Sequence, residues 1–340
     1  MSPTNKKKIA KIVASAIVLL LAGAVFFAKA LPRKHPATPP TPTPVGASVP
    51  APVIDHTRPL AIMIDNHPDA RPQSGLAKAD TIWETLVEGG LTRIMAIFRS
   101  ASATEIGPVR SARPYFLNWA READAVYGHV GGSDEALSDL ARPGSGLNDA
   151  NEFSNGAAYW RDTRRDAPHN TYTSSERLRA LITSKKWSAT TDAFDLSPRD
   201  SASATGTPAS RITVTYAENG EREEFRWNAR MGGYELWRGG RQAFDRDGTA
   251  IIPKTVVVLE TRLVPIDDPH GKGLIGIATT GTGTATVFRS GVALFGTWQK
   301  PSAAERTEVL AADGQKIPFS RGQVWYAVVA ANRGGSATFR

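Results

Sequence analysis

Apolar and polar positions change texture several times along this chain. Residues 12–28 are 17 uncharged, mostly apolar positions between Lys11 and Lys29, the short end of what a spanning helix needs. Residues 32–52 hold eight prolines separated mainly by Thr and Ala, a composition that favours extended polyproline II and a semi-rigid spacer. From Arg58 to about Lys186, strand-like and helix-like runs alternate. Residues 60–64 are a continuous apolar run, as in a buried strand, and residues 81–87 and 91–98 flank Glu88-Gly89-Gly90 as in a hairpin. Residues 114–123 carry a helical pattern and 125–130 return to strand. Gly131-Gly132-Ser133 opens a second helix, with Ser133 as its cap, and Ser174 or Ser175 caps a third. Residues 188–210 are rich in Ser, Thr, Ala and Asp, and from Arg211 onward the texture is short strands separated by Gly-rich turns.

This pattern predicts an N-terminal segment over 1–31, a Pro-rich linker over 32–57 and an α/β or α+β ligand-binding domain over 58–187. A linker over 188–210 and a mostly antiparallel β domain over 211–330, a small barrel or curled sheet, complete it.

Charge sharpens the reading of the N-terminal segment. The net charge is +8, yet residues 1–34 contain seven basic residues and no acid. The remaining 34 basic residues nearly balance 33 acidic ones. The excess is a membrane-topology signal, which excludes nucleic acid as the expected partner and places the segment's N-terminus in the cytoplasm. A retained single transmembrane helix and a cleaved signal peptide ending near Ala28-Lys29-Ala30 both export the body of the protein. The chain has no cysteine, so a lipidated cysteine, disulfides and thiolate metal sites are all unavailable.

Candidate chemistry gathers where the predicted strands end, the usual place for sites in α/β folds. Asp65, Asn66, His67 and Arg71 follow the first strand. Arg110, Ser111 and Arg113 lie three residues apart or closer before a helix, where they would share the face of a first turn and suit a phosphate or carboxylate. His129 and Ser133 follow the next strand, and Asp162, His169 and Asn170 lie in a later polar loop. Each has a plainer alternative. Arg110 and Arg113 would pair with Glu84 or Glu88, His129 would be a packing histidine, and His67 and His169 would order turns. No H-x-x-x-H, H-E-x-x-H or G-x-S-x-G spacing is present, so a metal is indicated only if two histidines converge in the fold. No cofactor is expected.

Longer motifs carry a family likeness. Pro59-Leu-Ala-Ile-Met-Ile-Asp-Asn-His-Pro68, Glu88-Gly-Gly-Leu-Thr-Arg93, Ile106-Gly-Pro-Val-Arg-Ser-Ala-Arg-Pro114, His129-Val-Gly-Gly-Ser133, Ala167-Pro-His-Asn170 and Gly296-Thr-Trp298 resemble the YerB-like bacterial lipoproteins over about residues 58–330. The resemblance implies a two-domain envelope protein and no stated activity; an apolar helix here stands where the family has its lipidated cysteine. A fainter likeness to LytR-CpsA-Psr proteins, which transfer glycopolymers from polyprenyl-pyrophosphate carriers, implies Asp80 as a carboxylate near a divalent metal and Arg110 and Arg113 as a pyrophosphate clamp. The resulting expectation is a single-pass, extracytoplasmic envelope protein that binds an anionic ligand through an Arg-rich pocket. The alternatives are an envelope phosphotransferase or hydrolase, or a scaffold for cell-wall synthesis proteins.

Overall fold

The computed structural model describes residues 56–99, 101–193, 199–200, 204–266, 268 and 271–340. The expected membrane segment and nearly all of the Pro-rich linker lie outside them. Among the described residues, no helix is long and apolar enough to cross a membrane.

The described residues are mostly β, with three short helices among them. Strand β1 (Leu60–Asp65) is buried at every position, as a central strand covered on both faces must be. It pairs antiparallel with β3 (Thr92–Phe98) and parallel with β4 (Val126–His129), and β4 pairs parallel with β5 (Asn148–Asn151). Strand β2 (Thr81–Leu86) lies on the far side of β3, antiparallel to it, with Val87–Leu91 closing the hairpin through an N–H···O bond of 2.8 Å. Both β1 and β2 run opposite to β3, so Asp65 at the end of β1 and Asp80 at the start of β2 occupy opposite edges of the sheet, about 20 Å apart along a six-residue strand.

The later strands continue this sheet instead of closing a barrel. Val324–Ala330 pairs parallel with β2 in register Thr81↔Val324 to Thr85↔Val328, and the Thr85 hydroxyl donates to Val328 O at 2.9 Å. Beyond it follow Thr255–Thr261, Gly281–Arg289, Val292–Lys300 and Glu308–Leu310. A separate five-stranded sheet is built from Arg211–Thr215, Arg222–Asn228, Gly233–Arg238, Arg241–Gln242 and Ser336–Phe339. In Arg211–Thr215 buried and part-exposed positions alternate, the mark of a half-buried strand.

Helix α1 (Pro114–Glu122) starts at a proline that needs no N–H partner and buries Tyr115, Phe116 and Trp119. Ser133 Oγ caps α2 (Asp134–Ala141), accepting from Ala136 N, and Ser174 Oγ caps α3 (Ser175–Ser184), accepting from Arg177 N. Because the residue before a proline is driven out of the helical region, Arg113 is extended (φ −136°, ψ 147°). Arg110 is also outside the helix, its N–H donating to Met63 O at 2.9 Å. The expected shared face of a first helical turn therefore does not form.

Candidate functional site

At the β1 end of the sheet, Asp65 is the hub. Its Oδ2 accepts the His169 Nδ1–H at 2.7 Å and forms an ion pair with Arg110 Nε at 2.9 Å, while its Oδ1 accepts the His67 N–H at 3.0 Å. The His67 and His169 rings stack, with centroids 4.9 Å apart and planes at 20°. Two local features create this convergence. The turn Pro68–Ala70 carries His67 and Asp69 out of β1, and the paired strands β6 (Tyr159–Arg161) and β7 (Thr171–Thr173) close the loop 162–170 that bears His169. Arg165 fastens that loop to the turn, donating to Asp69 O at 3.2 Å and Pro72 O at 2.6 Å. His67, Asp69 and His169 bring ligand atoms within 4.8 Å of one another.

The other expected residues divide between support and separation. Asn66 lies beneath the cluster, donating to Glu84 Oε1 (2.8 Å) and Thr92 Oγ1 (2.7 Å) and accepting from Arg71 Nε (3.1 Å). Arg71 continues to Glu221 at 2.7 Å. Arg113 forms a two-pronged pair with Glu88, at 2.8 and 2.7 Å, and is no part of an anion clamp. Burial alone would raise Glu88, but the Arg113 hydrogen bonds and charge hold it below the usual carboxylate range. His129 is fully buried, with its ring nitrogens on Gly131 O and Asp149, each at 2.7 Å, so it is a satisfied packing histidine. Ser133 is engaged as a helix cap, and the Ser111 carbonyl accepts from Arg93 at 3.1 Å. Asp162 is held well below the carboxylate range by hydrogen bonds from Arg164 and then Arg246. Asn170 Oδ1 turns to Arg161 at 3.3 Å. Asp80, on the opposite edge, accepts the Arg99 N–H at 2.7 Å and does not assemble with Arg110 and Arg113.

Behind Asn66 lies a buried acid pair that spacing alone did not reveal. Glu84 Oε1 accepts from the Thr92 hydroxyl (2.6 Å) and Oε2 from Trp325 Nε1 (3.1 Å); Arg238 Nη2 lies 3.9 Å from Oε2 and Arg238 Nε on Glu223. Burial, then the Glu223 charge, pushes the Glu84 carboxyl up to about 8.

The Asp80 edge opens into a cleft of about 650 Å³. Six basic side chains line it (Lys78, Arg99, Arg199, Arg306, Lys316 and Arg321) against three acids, Asp80, Glu122 and Glu308. The acids already have partners. Glu122 accepts from Lys300 at 2.6 Å, and Glu308 pairs with Lys316 at 2.5 Å. Arg306 is half-buried and Arg321 exposed, and neither forms an ion pair with another described residue. The apolar wall is Trp83, Tyr326 and Phe319, with Trp83 stacked on Tyr326 at 4.0 Å. Among the charged residues that line this cleft, sequence reasoning singled out Asp80 alone; Arg306 and Arg321 stand in no motif.

Comparison with known proteins agrees with the likeness read from the motifs. Residues 46–188 match the N-terminal domain, and residues 212–326 the C-terminal domain, of a family described as "Protein of unknown function (DUF3048)". The chain is 29% identical over 279 residues to a Bacillus subtilis (strain 168) protein named "Putative lipoprotein YerB", covering 81% of this chain and 82% of that one. It also superposes on the crystal structure of the Bacillus subtilis YerB protein with a TM-score of 0.74 and 27% identity, over 84% of this chain and 94% of that chain. This chain is therefore a two-domain, YerB-like member of the DUF3048 family.

Proposed function

We propose that this chain is a membrane-anchored cell-envelope protein whose body lies outside the cytoplasm and binds a phosphate- or carboxylate-bearing envelope ligand in the Arg-rich cleft at the Asp80 edge. The observation that carries this reading is the pair Arg306 and Arg321, two guanidinium groups in a 650 Å³ cleft with no carboxylate partner among the described residues. A guanidinium without a partner retains its full capacity for two-pronged oxyanion binding. Arg110 and Arg113, by contrast, are already neutralised by Asp65 and Glu88. The envelope location is supported by the lipoprotein name of the relative and by the apolar segment 12–28 behind its lysines. With no cysteine to lipidate, attachment falls to that segment.

Calorimetric titration of the full-length chain with inorganic pyrophosphate tests the site. Arg306→Ala/Arg321→Ala weakens binding at least tenfold, whereas Arg110→Ala leaves it unchanged, since each charge-assisted hydrogen bond lost is worth about 1.5–3 kcal/mol. Equal affinity in the cleft variant, or a loss confined to Arg110→Ala, returns the site to the β1 end and defeats the reading.

A further inference from the structure

The geometry points to a transition-metal site at the β1 end, held by His67, Asp69 and His169, for a first-row dication of the Zn²⁺ type. It is independent of the cleft, at the other edge of the sheet. Two imidazoles and one carboxylate offer ligand atoms within 4.8 Å of one another, a nitrogen-rich set that favours such ions over Mg²⁺ or Ca²⁺. His67 Nδ1 and Asp69 Oδ2 are 3.5 Å apart. Neighbouring ligands around tetrahedral zinc, at about 2.0–2.1 Å from the ion, are separated by about 3.4 Å. That pair is therefore already at ligand spacing.

The second argument is the shell behind the ligands. An Asp65 oxygen 2.7 Å from His169 Nδ1 only accepts, so Nδ1 carries the proton and Nε2 presents its lone pair outward. Metal-binding histidines have this arrangement as a rule: a carboxylate behind the ring fixes its tautomer and makes it a better donor. Asp65 is itself held by Arg110 and by the His67 N–H, so the support is rigid while the ligands stay reachable. The His67 side chain is 37% exposed and that of Asp69 76%. Closing the set around an ion takes a rotation of the His67 ring out of its stack, exchanging the 3.2 Å bond that Nδ1 accepts from Asp69 N for a metal bond. Three protein ligands leave a fourth position for water or an anion.

The test uses tag-free full-length protein stripped with chelator and titrated with Co²⁺ and then Zn²⁺, read by visible absorption and by metal content after dialysis. The expected result is one ion per chain, with Co²⁺ absorption that Zn²⁺ displaces. His67→Ala and His169→Ala each abolish it. Asp65→Asn keeps all three ligands and weakens binding about 10–100-fold with an altered Co²⁺ spectrum, while the melting temperature of the metal-free chain identifies any variant that fails to fold. Arg306→Ala/Arg321→Ala binds metal as the parent does. No stoichiometric uptake at micromolar metal, or uptake unchanged in folded His67→Ala, overturns the assignment.

Discussion

Replacing Glu84 by glutamine should change how stability depends on pH more than it changes stability itself. The Glu84 carboxyl is fully buried beside Glu223, and one guanidinium, Arg238, serves both. Burial and the Glu223 charge raise it from 4.5 to about 8. A carboxyl raised on folding contributes stability that is fully present below about pH 4.5 and is lost as the pH climbs through about 8, because the unfolded chain releases the proton first. At 1.36 kcal/mol per pH unit, the parent loses about 4 kcal/mol from this group between pH 5 and pH 8. Glutamine has no proton to lose. Its amide has one accepting oxygen where the carboxylate has two, so it serves either Trp325 Nε1 or the Asn66 and Thr92 donors and not both, which costs about 1 kcal/mol at every pH. The two stability curves should therefore cross: the variant is weaker at pH 5 and stronger at pH 8. Equilibrium urea unfolding across that range measures both slopes. Parallel curves, with a parent-minus-variant difference that shifts by less than about 1 kcal/mol, would refute the argument that Glu84 folds with its proton on.

Three further outcomes follow from the same reasoning. Arg113→Ala strands Glu88 half-buried and should destabilise by about 1–3 kcal/mol in urea titrations without changing pyrophosphate affinity. Asp245→Ala removes the acceptor for the Leu76 and Ala77 amides, 3.1 and 2.9 Å away, at about 2 kcal/mol. Asp245→Asn keeps an acceptor, and it removes the stability that the parent loses as pH rises from 3.8 to about 6, since burial raises this carboxyl. Gly296→Ala drives its Cβ into the Leu310 carbonyl and to 2.9 Å from Ile317 Cδ1, and should lower the thermal midpoint by the equivalent of about 2–3 kcal/mol as Val292–Lys300 is pushed off Glu308–Leu310.

Local pattern made individual elements legible. The all-apolar run at residues 60–64, the Glu88-Gly-Gly hairpin, Pro114 at a helix start and Ser133 as a cap all act within a few residues, so they leave marks in sequence. The seam between β2 and Val324–Ala330 leaves none. It joins residues 243 positions apart, and a buried strand reads the same whichever neighbour it takes. That is why the later strands read as a separate small barrel or curled sheet, when several of them extend the first sheet and others form a sheet of five.

Which polar residues meet was legible only in part. Strand-end logic placed Asp65, His67, Arg110 and His169 in candidate loops, and the fold brings these four together, although His169 is 104 residues from Asp65 and only the folded loop 162–170 closes that distance. What the arginine-rich motif could not convey is neutrality. An arginine beside a site binds an anion only if no fixed carboxylate holds it, and a motif names the guanidinium without naming its partner. Arg71, Arg110 and Arg113 each acquire one on folding, in Glu221, Asp65 and Glu88. Arg110 thus becomes part of the frame that fixes Asp65, while Arg71 holds the neighbouring Asn66 and Arg113 holds Glu88. Arg306 and Arg321, which stand in no motif, keep their charge unpaired among the described residues, and both line the cleft at the Asp80 edge.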